Sequence, residues 1–75
     1  MATSKQMDVR MEILRLLLQK VSSEQHPSGG TLNRIESLLR GPDETEAYLG
    51  VLMEKVQSDR YPSVDMVNRL LRLAA

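Results

Sequence analysis

The sequence predicts an all-α protein, a compact bundle of four helices joined by short loops. Three observations predict it. Twelve leucines and five methionines, with no Phe and no Trp, favour helices with an aliphatic core over strands. Apolar residues recur at spacings of three and four along most of the chain. Glycine and proline cluster at Pro27–Gly30, Gly41-Pro42 and Tyr61-Pro62, which leaves four helical stretches between the breaks.

The first helix is expected from about Ser4 to about Ser23. Thr3 and Gln6 can form a capping box, and Met7, Met11, Leu14, Leu18 and Val21 make one continuous stripe. The second helix is expected from Leu32 to Arg40, with Thr31 as its cap and Leu32, Ile35, Leu38 and Leu39 turned inward. Gly41 suits the position after a helix end, and Pro42 prevents continuation. The third helix is expected from Glu44 to Ser58. Asp43 would cap it, and its early carboxylates suit the positive end of the helix dipole. Its inner face would be Leu49, Leu52, Met53 and Val56, flanked by Ala47, Tyr48 and Val51. After a turn at Asp59–Pro62, Ser63 caps a fourth helix from Val64 to Ala74, in which Val64, Val67, Leu70, Leu71 and Ala74 fall at helical spacing. Each helix carries an apolar pair three apart followed by one more apolar residue, as in Leu14-x-x-Leu17-Leu18. Any core-facing helix needs that stripe, so the pattern is not read as a true repeat.

Composition excludes several classes of function. Ten basic and ten acidic residues give a formal net charge of zero, without the basic excess of a nucleic-acid binder. The second and third helices could imitate a helix-turn-helix. Their would-be recognition helix opens Asp43-Glu44-Thr45-Glu46, however, and would meet phosphates with the wrong sign. The longest apolar run, Leu16–Leu18, is too short for a bilayer, and the start lacks the apolar stretch of a secretory leader. A cytosolic or nuclear setting is therefore expected, with no membrane and no nucleic-acid partner. A single domain of 75 residues, ending Leu73-Ala74-Ala75 just inside a helix, reads as an excerpt of a longer protein.

No residue set points to chemistry. There is no cysteine, and the one histidine, His26, cannot build a metal site or a triad alone. The carboxylates are explained by capping and solvation, and no strand precedes a glycine-rich phosphate loop. A non-catalytic protein without cofactor or metal is expected. Ser37, in Glu36-Ser37-Leu38, resembles the modified serine of acyl carrier proteins. Such a serine stands exposed at a helix start, whereas Ser37 falls inside the second helix, and carrier proteins are typically acidic. A carrier role is the remote alternative.

The informative feature is surplus apolar surface. From Val9 to Val21 the first helix offers eight apolar positions in thirteen, more than three neighbours readily cover. Exposed apolar surface rimmed by charge marks an interaction site. The run Leu14-Arg15-Leu16-Leu17-Leu18 also matches the box with which coactivators dock onto nuclear receptors, but core packing explains it better. An aliphatic groove near Met11, Leu14, Leu17, Leu18, Leu52 and Met53 is expected to take an amphipathic helix, a short helical or disordered segment of another protein. Arg10, Arg15, Arg69 and Arg72 would form a basic rim facing acids that flank the partner helix; solvated charge is the plainer explanation of these arginines. The alternative occupant is a second copy, giving a homodimer.

The order of parts resembles the αα-hub group of helical domains, which includes the harmonin-homology, TAF/nervy homology, paired amphipathic helix and RST domains. Glu46-Ala47-Tyr48-Leu49-Gly50-Val51-Leu52, the turn ending Tyr61-Pro62, and Val64-x-x-Val67-x-x-Leu70-Leu71 look like their last two helices. Ile13–Leu18 looks like their leading helix. Members commonly carry an aromatic on the last helix and a proline after it; this chain has neither. The resemblance implies a scaffold, adaptor or transcription-regulatory protein that recognises segments folding on binding, with modest affinity.

Overall fold

The structure, a computed structural model, describes residues 9–74. The described residues form four helices: α1 (Val9–Ser23), α2 (Gly29–Leu38), α3 (Gly41–Ser58) and α4 (Val64–Ala74). Among the described residues there is no strand, so the protein is all-α with short connections. The expected helix start near Ser4, the Thr3–Gln6 capping box and Met7 of the stripe lie outside the described residues. The fold divides into two units, the first ending at Leu39 and the second beginning at Arg40. In each unit two helices pack together, α1 with α2 and α3 with α4.

The first unit is a helical hairpin. α1 ends at Ser23 as expected. The Glu24 amide donates to the carbonyls of Lys20 (3.1 Å) and Val21 (3.2 Å), and Ser23 Oγ donates to Lys20 O at 2.9 Å. These bonds satisfy carbonyls that the helix leaves without an intrahelical partner. α2 starts three residues before the expected Leu32, because Ser28 and not Thr31 is the cap. Ser28 has extended backbone, and its Oγ accepts from Thr31 N at 3.1 Å while its carbonyl accepts from Leu32 N at 3.1 Å. The Thr31 hydroxyl is engaged with Ser28 Oγ instead. Gly29 and Gly30, which read as breakers, fill the first turn. Amides there have no intrahelical acceptor anyway, so glycine costs only its chain entropy. At its other end α2 stops two residues short of Arg40. The Leu38 carbonyl accepts from the Arg10 guanidinium, and Leu39 and Arg40 are extended. That bond sets the start of α1 beside the end of α2, so the pair runs antiparallel. Leu14, Val21, Leu32 and Ile35 are buried, and Leu38 and Leu39 are half-buried.

The second unit opens with Gly41 at φ +81°, the left-handed region that a side chain would strain. Pro42 follows inside the first turn of α3, where its missing amide donor costs nothing. The helix therefore begins ahead of Asp43. Asp43 sits in the first turn and is not the cap; Glu44 instead reaches back to accept from Arg40 N at 2.7 Å. The buried face of α3 is centred on Tyr48 and Leu52, with Leu49 and Val56 half-buried. Met53, expected inward, lies one residue beyond Leu52, a step of about 100° around the helix, and is exposed. α4 runs over the expected residues. Ser63 Oγ accepts from Met66 N at 3.3 Å, and Ser63 O accepts from Val67 N at 3.1 Å. Its core face differs from expectation. Met66 and Leu70 are buried with Leu73 half-buried, an i, i+4, i+7 stripe, whereas Val64 and Leu71 are exposed.

Candidate interaction surface

The residues expected to line a groove fall into three groups. Leu14 (4% exposed) and Leu52 (0%) are core and have no surface to offer a partner. Leu17 and Leu18 are half-buried. Met11 and Met53 are exposed. The nuclear-receptor-type box loses its first leucine to the core in the same way, since Leu14 packs inside the first unit.

The largest exposed apolar set on α1 is a different one. Val9 (55%), Ile13 (42%) and Leu16 (53%) stand on a common face. At about 100° per residue they fall within a sector of about 60°, centred about 120° from the middle of the face that Leu14 and Val21 bury. α1 thus has two apolar faces, one packed and one open. The signal was available in the sequence as the spacing i, i+4, i+7, but the Met7–Val21 stripe obscured it. α4 shows a smaller version, with Val64 and Leu71 two turns apart and opposite Met66 and Leu70.

The charges beside the α1 face are neutralised locally. Arg15 donates from Nη2 to both oxygens of the Glu12 carboxylate, at 2.8 Å to Oε1, and Lys20 Nζ lies 2.9 Å from Glu24 Oε2. Exposed i, i+3 and i, i+4 pairs of this kind add a few tenths of a kcal/mol each. Their larger effect is to leave the apolar face with little net charge at its edge. Of the expected basic rim, Arg15 and Arg72 are exposed, and Arg10 is half-buried with its guanidinium on Leu38 O. Arg69 is a correction. Its side chain is buried on the core side of α4, and its Nε donates to Asp65 Oδ2 at 2.8 Å. A buried guanidinium needs such a partner, so this arginine is committed within its own helix and belongs to no rim.

Ser37 sits in the last turn of α2, and its hydroxyl donates to Arg34 O at 2.7 Å. His26 is exposed in the α1–α2 connection. Among the described residues no three His, Cys, Asp or Glu side chains come together as a metal site, and no helix is long and apolar enough to cross a membrane. No known protein family, curated protein or solved structure matches this chain.

Proposed function

We propose that this chain is a non-catalytic protein–protein interaction module, and that the open face of α1 receives an amphipathic helix from a partner. One observation carries the reading: Val9, Ile13 and Leu16 form a continuous exposed apolar stripe on α1, about 120° around the helix from its packed face. Water contact with three aliphatic side chains in a row is unfavourable, at roughly 25 cal/mol per Å² of apolar area. A helix laid along α1 would cover them with its own i, i+3, i+4 stripe. The neutral flanks select for shape and apolar match more than for charge.

The reading moves the site from the expected set to the outer α1 face, with Met11 and the half-buried Leu17 and Leu18 at most at its margin. It agrees in kind with the αα-hub resemblance, and with a scaffold, adaptor or transcription-regulatory setting in cytoplasm or nucleus. The contact is short, about two helical turns, so weak and reversible binding is expected.

Selection from a displayed peptide library tests it. The selected ligands should carry apolar residues at helical spacing, and their binding should be lost in Leu16→Asp with the helical circular dichroism signal retained. Ligands that bind Leu16→Asp as well as the unaltered chain would place the site elsewhere.

A further inference from the structure

Ten of the 25 residues from Leu14 to Leu38 are identical to the residue thirty-five places later, between Leu49 and Leu73, with no gap. Leucine content does not explain this, because the matches include Lys20-Val21 with Lys55-Val56, Pro27-Ser28 with Pro62-Ser63, and Asn33-Arg34 with Asn68-Arg69. The structure follows the same offset. α1 ends at Ser23 and α3 at Ser58; α2 begins at Gly29 and α4 at Val64. Ser23 Oγ bonds Lys20 O, and Ser58 Oγ bonds Lys55 O. Ser28 caps α2 through the amide three residues on, and Ser63 caps α4 through its own third amide. The carbonyls of both cap serines close the first turn on the fourth amide, each at 3.1 Å. A shared helical stripe would not reproduce a turn, its cap and its terminating hydroxyl at one fixed spacing.

We infer that the two units are tandem copies of one helical hairpin, and that the chain docks onto a second copy of itself head to tail, α4 of one molecule on the open α1 face of the next. The inference rests on the reading of that face as a docking surface, and names its occupant. Units of a tandem helical array meet their neighbours through one face on the leading helix and one on the trailing helix. On the leading helix of the second unit Tyr48 is fully buried and Val51 half-buried. The equivalent residues of the first unit, Ile13 and Leu16, are open. On the trailing helix the apolar excess is reversed. Val64 and Leu71 are 73% and 67% exposed in the second unit, where the first has Gly29 and Glu36. Each molecule therefore carries two unlike exposed aliphatic faces, one on α1 and one on α4. A second copy supplies to each an exposed aliphatic helix face of matching length. Two unlike faces make a heterologous contact, which propagates instead of closing as a twofold dimer.

Sedimentation equilibrium of the full chain over a wide concentration range tests the inference. The average mass should rise from the 8.5 kDa protomer past that of a dimer as concentration increases. Leu16→Asp and Leu71→Asp should each remain monomeric alone. Mixed in equal amounts they should form a dimer and stop there, because each retains the face the other has lost. Both side chains are exposed, and circular dichroism checks that helicity is kept; if an aspartate variant unfolds, Leu16→Gln and Leu71→Gln take its place. A monomeric unaltered chain overturns the second-copy occupant. If such a monomer still selects helical peptides on α1, the docking face stands without this occupant; if it selects none, both readings fall together. Association of Leu71→Asp equal to that of the unaltered chain, or a mixture that stays monomeric, also overturns the head-to-tail contact.

Discussion

Leu14 and Leu16 are two residues apart on α1, yet the structure gives them opposite roles, and truncating each to alanine should separate them. Leu14 is 4% exposed, so Leu14→Ala removes a packed side chain and leaves a cavity. That costs about 2–5 kcal/mol. A domain this small has roughly 3–5 kcal/mol of net stability from its core, so the variant should be largely unfolded or close to it. Leu16 retains about half of its surface in water. Full burial of a leucine contributes about 1.5–3 kcal/mol, so losing a half-buried one should cost about 1 kcal/mol. In a domain of this length 1 kcal/mol lowers Tm by about 4–8 °C. Thermal and urea unfolding followed at 222 nm measures both variants. A Leu16→Ala loss equal to that of Leu14→Ala would show that the outer face is packed in solution, and the argument for a docking surface there would fail.

Other substitutions test the local devices. Ser28→Ala and Ser63→Ala should each cost about 1 kcal/mol by urea unfolding, because both hydroxyls cap a helix, whereas Thr31→Val should cost less, since Thr31 is not the cap. Gly41→Ala should destabilise by about 1 kcal/mol in the same assay. Open space surrounds the position, so the cost is the backbone's φ of +81° alone. Asp65→Asn should destabilise by more than Glu12→Gln, because Asp65 holds a buried guanidinium and Glu12 an exposed one; equal losses would show that Arg69 finds its support elsewhere.

Much of the fold was legible in the residues. Helix number, the end of α1 at Ser23 and both ends of α4 followed from apolar spacing and from breakers. The errors lay at α2 and α3, where competing caps stand close together. Ser28 and Thr31 both precede an apolar run, and only the observed bond from Thr31 N to Ser28 Oγ decides between them. Gly41-Pro42 reads as a stop, but a left-handed glycine followed by proline is also a good helix entry, and Glu44 completes it by reaching back to Arg40 N. Faces were harder than boundaries. On α3 the choice between Met53 and Tyr48 as an inward residue is a rotation of the helix, which periodicity leaves free when apolar residues surround it. Arg69 was unreadable for a related reason: its burial depends on which side of α4 meets α3, and nothing in its own spacing to Asp65 distinguishes a buried pair from a solvated one. Of the side chains expected at a groove, Met11 and Met53 are exposed and Leu17 and Leu18 half-buried, but Leu14 and Leu52 are core. The excess of apolar residues was correct, but the leucines chosen from it included Leu14, which is core.

Chemical-shift mapping of the isotopically labelled chain against a selected helical peptide locates the binding face. The largest shifts are expected at Val9, Ile13 and Leu16 on the outer face of α1, with the buried methyls of Val21 and Ile35 little changed. Shifts centred on Met11 or Met53 with the Val9–Leu16 stripe unaffected would contradict that placement.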